Sequence, residues 1–315
     1  MKLVFGTMTF GPQVDCNSGR AMVKHFIQSG YREIDTAYVY NEGETERILG
    51  AILNDLNFKH IKVATKANPR IMGRLDEIAV TGQLNESLLR LNLESVDTFY
   101  LHMPDANTPI EEALIACDKL YKEGKYKKLG LSNFPAWMVT DIWHLCNNHG
   151  WVAPSVYQGR YNAISRNIEK ELLPALGRMK IPFYAFNPLA GGLLTGKHTD
   201  YNDQPPLGRF SLRQSYRERY WKREFIDIIC ELVQKCRENG MLLAEAALRW
   251  LAYHSKLNCN NGDAIIIGAS SMEQLEQNID AIKEGPIPVN IVNAFDAAWD
   301  EARLLSPDYF QFYNA

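Results

Sequence analysis

The chain has 315 residues, 46% hydrophobic and 23% charged, the balance of a globular protein and too apolar for a disordered or fibrous one. Its 34 basic and 37 acidic residues leave a formal charge of -3, so no global field draws it to nucleic acid or to an anionic membrane. Six scattered cysteines (Cys16, Cys117, Cys146, Cys230, Cys236, Cys259) contain no C-x-x-C pair, which argues against a disulfide framework or zinc ribbon and predicts reduced thiols in the cytoplasm. The first six residues are too short an apolar stretch for a secretory signal, and no run approaches the roughly 18 apolar residues of a membrane span.

Along the chain, short runs rich in β-branched and aromatic residues alternate with longer segments of helical period. The first run, residues 3–6, leads to a helix capped by Asn17 or Ser18, burying Val23, Phe26 and Ile27 and stopping at Gly30. Residues 32–35 form the second run, and Ile48, Leu49, Ile52 and Leu53 then make one helical stripe. After the third, 61–65, comes a helical pattern around the sequon-like Asn85-Glu86-Ser87. The fourth, 98–101, precedes a helix with Pro109 in its first turn, Glu111 and Glu112 at its positive end and Gly124 at its stop. Runs at 129–132, 155–158, 182–186 and 264–268 complete the set, with helices expected over 135–148, 168–178, 224–239 and 272–283. These units predict a single domain over residues 1–315, a (β/α)8 TIM barrel with long loops at its C-terminal face. A doubly wound sheet would carry a G-x-G-x-x-G turn after its first strand, and none is present.

In a barrel the reactive groups stand at the C-terminal ends of the strands. Here those ends carry Asp35, then Tyr40 in the following loop, Lys66, His102, Ser132-Asn133, Gln158 and Phe186-Asn187-Pro188. Taken singly, each has a bland reading: Tyr40 as a loop tyrosine, Asp35 and Lys66 as a structural ion pair, His102 as an interior histidine. Their succession at consecutive strand ends is what favours chemistry. A tyrosine at such a site is a candidate proton donor, but a free tyrosine, with a pKa of about 10, is a weak acid at neutral pH. A nearby ammonium such as Lys66 would lower that pKa by about one to three pH units. Asp35 would keep the ammonium charged and placed, and His102 would orient the substrate oxygen.

The segment Asp35-Thr36-Ala37-Tyr38-Val39-Tyr40-Asn41-Glu42-Gly43-Glu44-Thr45-Glu46 resembles the D-T-A-x-x-Y-x-x-G-x-[ST]-E signature of the aldo-keto reductases. The resemblance runs in order along nearly the whole chain. Gly130 to Phe134, Val156 to Asn162, Asn187 to Lys197 and Gly268 to Asn278 are similar to the aflatoxin-aldehyde reductase subgroup of that superfamily. It implies NADPH-dependent reduction of aldehydes, aromatic or dicarbonyl, to alcohols, with a small-molecule aldehyde or ketone as the partner and Asp35, Tyr40, Lys66 and His102 as the catalytic set.

The same resemblance implies a nicotinamide dinucleotide on the barrel mouth. Asp35 would border it. Ser132, Asn133 and Gln158 would bond the carboxamide, and Phe186 would stand beneath the ring where many relatives have tyrosine. Asn187, Pro188, Leu189, Gly191, Gly192, Leu193 and Lys197 would follow the cofactor. Gly191 to Lys197 also reads G-x-x-x-x-G-K, but His198 replaces the Ser or Thr of a P-loop, and Tyr201, Asn202, Asp203, Gln204, Pro205 and Pro206 follow instead of a helix. The basic loop holding Arg209, Arg213, Arg217, Arg219, Lys222 and Arg223 is either a solvated face or a phosphate clamp, with Arg209 the foremost candidate. Ser270 and Ser271 open a helix whose N-terminus suits an anion, with Gln274, Gln277 and Asn278 one turn on. Gly268 and Gln274 stand where many relatives have Lys and Arg, so the preference for NADPH over NADH comes from the subgroup and not from charge.

Met8, Tyr40, His102, Trp221 and the aromatic residues Tyr309, Phe310, Phe312 and Tyr313 would line the substrate pocket, Met8 and Trp221 serving equally well as core. No arginine follows Arg303, which disfavours acidic semialdehydes. The subgroup implies a possible homodimer. A regulatory subunit resembling the potassium-channel β type, or a dehydrogenase working in the oxidising direction, would share fold and cofactor.

Overall fold

The computed structural model describes residues 1–56, 60–203 and 208–313. Gln204, Pro205 and Pro206 of the expected helix-free stretch lie outside them. Eight strands close into one parallel barrel in chain order: β1 (Lys2–Gly6), β2 (Glu33–Asp35), β3 (Lys62–Ala67), β4 (Val96–Leu101), β5 (Tyr126–Ser132), β6 (Pro154–Arg160), β7 (Phe183–Phe186) and β8 (Ala264–Gly268). β1 pairs with β2 on one side and β8 on the other, Gly6 standing opposite both Asp35 and Gly268.

Each strand is buried on both faces, and its two side-chain sets go to different cores. Leu3, Phe5, Ile34, Phe99, Leu101, Tyr157, Ile265 and Ile267 point outward into the large layer beneath the helices. Val4, Tyr100, Val156, Tyr184, Ala264 and Ile266 fill the interior. Following the inward set by twos leads from Tyr100 to His102, from Val156 to Gln158 and Arg160, and from Tyr184 to Phe186. The same period takes Ala64 to Lys66 and Glu33 to Asp35. The barrel is thus packed below and polar above. Gly130 is required by this filling, because a Cβ there would lie 2.3 Å from the fully buried ring of Tyr100.

The helices that cover the barrel are α1 (Cys16–Gln28), α2 (Glu44–Leu56), α3 (Glu77–Leu91), α4 (Ile110–Lys122), α5 (Ala136–His149) and α6 (Leu172–Met179). After β7 come α7 (Arg209–Leu212), α8 (Gln214–Tyr220), α9 (Arg223–Glu238), α10 (Leu243–Tyr253), α11 (Met272–Lys283) and α12 (Val289–Ala302). Three details differ from expectation. Asp15 caps α1 by accepting from the Ser18 N–H, so the cap lies two residues before Asn17. Pro109 is the cap of α4 and not its first turn. The basic stretch expected as a long loop carries α7 and α8, because Phe210 and Tyr220 bury their rings and pin short helices to the barrel mouth.

Candidate active site

The inward-facing strand ends meet at the floor of a cleft of about 1430 Å³, larger than the roughly 300–1,000 Å³ of most small-molecule pockets. At its centre the fully buried Lys66 ammonium donates to Asp35 Oδ1 at 2.8 Å, Asp35 Oδ2 at 2.7 Å and the Thr36 carbonyl at 2.6 Å. Gln158 Nε2 donates to the same Asp35 Oδ1 at 2.8 Å. The pair is a pinned, neutral unit, and burial pulls the Lys66 pKa down against the pull of Asp35.

Tyr40 lies over this unit, its ring centroid 5.2 Å from Lys66 Nζ and 6.0 Å from the His102 ring. Burial, and next the Asp35 charge, push its hydroxyl pKa well above 10. The acidification expected from Lys66 is not the net outcome: burial outweighs it, and the three Lys66 N–H groups donate to Asp35 and Thr36 rather than to the phenol. Tyr40 is a protonated phenol here, which is the form that can donate. His102 Nδ1 is buried without a protein partner, and burial together with Lys66 keeps the imidazole pKa well below 6.5. A neutral imidazole on the cleft wall, with no carboxylate paired to it among the described residues, is matched to a substrate oxygen.

Ser132, Asn133, Gln158, Phe186, Asn187, Pro188, Leu189, Gly191, Gly192, Lys197 and Arg209 line the cleft, as do Ser270, Gln274, Gln277 and Asn278 further along. Asn133 adopts a left-handed φ of 62° and spends its amide N–H groups on the His102 carbonyl and Ser132 Oγ. Asn187 donates to Tyr220 Oη and accepts from the Gly191 N–H, so it shapes the glycine turn. At Gly191, φ 74°, a Cβ would meet the Tyr216 ring at 2.7 Å. Ser270 Oγ donates to Gln274 Oε1, and Gln277 Nε2 to Glu273.

Several expected contacts sit elsewhere. The Leu193 side chain is buried in the outer core. Ser271 Oγ caps α11 by accepting from the Gln274 N–H and is not on the cleft wall. Trp221 packs against Phe210 and His198, its indole N–H donating to the Tyr201 carbonyl, which resolves its reading in favour of core. Met8, Tyr309 and Phe310 do line the cleft, whereas Phe312 and Tyr313 do not.

A profile of the aldo/keto reductase family matches residues 2–300. The chain belongs to the aldo/keto reductase family. Aflatoxin B1 aldehyde reductase member 2 of Mus musculus is 45% identical over 98% of this chain and 87% of its own. Aldo-keto reductase family 7 member A3 of Homo sapiens is 45% identical over 98% of this chain and 96% of its own. An aldo-keto reductase of Pseudocercospora fijiensis is 41% identical over 92% of this chain and 100% of its own. As an aldo/keto reductase the chain is an oxidoreductase acting on small-molecule carbonyl compounds. No helix among the described residues is long and apolar enough to cross a membrane.

Sequence reading gave no role to one arginine on the cleft of this aldo/keto reductase and no individual role to another. Arg160, 6% exposed, donates through Nη2 to the Pro307 and Asp308 carbonyls of the C-terminal segment, the first at 3.0 Å. Its signal was available: it lies two residues beyond Gln158 on the inward face of β6. Arg213 donates to Asn41 Oδ1 at 2.6 Å and had been read only as one member of a basic cluster. The signature residue Glu46 has a structural place, accepting from Thr65 Oγ1 at 2.6 Å and pairing with Arg90, so it locks α2 to β3 and α3.

Proposed function

We propose that this chain reduces aldehydes to alcohols with NADPH, Tyr40 giving the proton and His102 orienting the carbonyl oxygen. The observation that carries the reading is the half-buried, protonated Tyr40 packed between a neutral His102 and the pinned Asp35–Lys66 pair at the floor of a large cleft. A reduced nicotinamide, when bound, would be the source of the hydride for the carbonyl carbon. Ser132, Asn133 and Gln158 fit its carboxamide and Phe186 its ring face. Lys197 and Arg209 fit the pyrophosphate, and Ser270, Gln274, Gln277 and Asn278 the adenosine end, all of them on the cleft wall.

As negative charge develops on the substrate oxygen, the Tyr40 O–H transfers its proton there and becomes phenolate. The Lys66 ammonium below stabilises that phenolate, and Asp35 keeps the ammonium in place. Because burial makes a lone phenolate expensive, the proton leaves only when the oxygen's charge is there to receive it. The test is NADPH consumption with an activated aromatic aldehyde, wild type against Tyr40→Phe. Turnover falling at least about a hundredfold, with NADPH still bound, supports the reading. A wild type that binds NADPH and turns over no aldehyde would instead favour the regulatory-subunit alternative.

One observation favours a second reading of the substrate. The buried Arg160 faces the cleft with no carboxylate partner among the described residues, its two bonds both going through Nη2 to main-chain carbonyls. A buried guanidinium of this kind suits an anionic substrate group. Despite the absent late arginine, an aldehyde bearing a carboxylate therefore fits this wall. Comparing 4-formylbenzoate with its methyl ester tests this: the acid should have the higher kcat/KM, and Arg160→Met should erase the difference. Equal values in the wild type would remove the reading.

A further inference from the structure

We propose that Asn41 is a positioning residue for Tyr40, and that Arg213, reaching across from the strap formed by α7 and α8, holds Asn41 in its working orientation. The proposal rests on Tyr40 as proton donor. It starts from the backbone. Tyr40 is followed directly by Asn41 (φ 49°), Glu42 (φ 56°) and Gly43 (φ 85°), three left-handed residues in succession of which one is glycine. L-residues avoid that region, so such a turn persists only where its surroundings hold it.

The Asn41 amide supplies the hold. Its Nδ2 faces three oxygens, the Met8 carbonyl at 3.1 Å, the Phe10 carbonyl at 3.0 Å and Thr45 Oγ1 at 2.9 Å. Thr45 Oγ1 gives its own proton to the Phe10 carbonyl at 2.9 Å, so it too acts as an acceptor towards Asn41. Reversing the amide would set its oxygen against acceptors on three sides. The oxygen must therefore face the strap, where Arg213 Nη2 donates to it at 2.6 Å. One side chain thus ties the loop after β1, the start of α2 and the strap to the residue next to Tyr40.

The strap is fixed at its far end as well. Asn187 Nδ2 donates to Tyr220 Oη at 2.7 Å, and Lys222 Nζ to the Leu305 carbonyl at 3.1 Å. Arg213 stands at the junction of α7 and α8, in an extended conformation that projects it from both. The charges of Arg209 and Arg213 also oppose the effect of burial on the Tyr40 hydroxyl. Docking of the strap and placement of the proton donor are in this way one event.

A double-mutant cycle on the full chain, with NADPH and an aromatic aldehyde, tests the coupling. Asn41→Gly removes the amide while keeping a residue that tolerates positive φ, and Arg213→Met removes the guanidinium. Each should lower kcat about tenfold to a hundredfold, the worth of a charge-assisted hydrogen bond. The double variant should lose no more than the worse single one. Aldehyde KM and NADPH Kd should stay within about threefold of wild type, Arg213→Lys should recover part of kcat, and the isotope effect on hydride transfer should rise. Losses that multiply, or an Arg213→Met variant that keeps kcat and binds NADPH weakly, would overturn the proposal and make Arg213 a phosphate ligand. Retained turnover in Tyr40→Phe is a different result: it strikes the proton-donor reading and not the Asn41–Arg213 contact.

Discussion

Removing the Lys66 ammonium tests whether the Asp35–Lys66 unit is held as tightly as its geometry implies. In Lys66→Met the side-chain volume is nearly kept, while Asp35, itself 4% exposed, loses two of the three hydrogen bonds found on its carboxylate and the Thr36 carbonyl loses its donor. Breaking a buried pair by deleting one partner costs about 3–5 kcal/mol, because the other charge stays buried. Unfolding entropy of roughly 2.1 cal/mol/K per residue, taken over 315 residues, converts that cost into a fall in Tm of about 5–8 °C. The double variant Asp35→Asn with Lys66→Met removes both charges and leaves an amide oxygen for Gln158. It should recover at least half of the lost Tm, because a neutral, packed pair carries no desolvation penalty. Both variants should lose carbonyl reduction by at least about a hundredfold. Thermal unfolding by circular dichroism, with NADPH consumption run alongside, reads both effects. A single variant within about 1 °C of wild type, or a double variant less stable than the single, would refute the claim that an uncompensated buried charge is what destabilises the site.

Two further outcomes follow from the same interior. Burial holds the His102 imidazole well below its ordinary 6.5, so as pH falls through about 6.5 the unfolded chain takes a proton that the native site refuses. Stability then declines by up to ~1.4 kcal/mol per pH unit; His102→Gln should flatten that part of the Tm–pH curve, and an unchanged slope would place the proton uptake elsewhere. Gly130→Ala sets a Cβ 2.3 Å from the Tyr100 ring, and chemical denaturation should register a loss of about 1–3 kcal/mol or more, as overpacking does. Full native stability there would mean the ring has room that the interior packing denies.

The barrel was legible because each strand is a short apolar run buried on both faces, and β8 falls on the expected residues 264–268. The reactive floor was legible for a related reason. Polar residues at the ends of such runs, Asp35, Lys66, His102 and Gln158, have no place in a packed interior and so announce themselves. α10 and α12 were not singled out, since α10 is a second long helix in the β7–β8 connection, where one was expected, and α12 follows the last βα unit and packs against α9. The cap of α1 was missed because Asp15, Asn17 and Ser18 are all competent caps, and only the backbone path chooses among them. The net direction of the Tyr40 pKa was not legible because sequence places Lys66 nearby but does not give the burial of the phenol, which outweighs that charge. Arg160 and Arg213 were obscured for opposite reasons: one sits inside a motif read for Gln158, the other inside a cluster read for its total charge.

The seam between β1 and β8 joins residues 2–6 to residues 264–268. A ribosome adding about 5–20 residues per second needs roughly 13–50 s to supply the partner strand after the first has been made. Through that interval Leu3, Val4 and Phe5 have one open edge and no closed interior to enter, a state in which a nascent chain invites aggregation and chaperone capture. The groups on the cleft floor come from strands spread along this same ring, so they converge only as it shuts. Activity should therefore appear during synthesis in a single step, late, and never in graded form from a growing fragment.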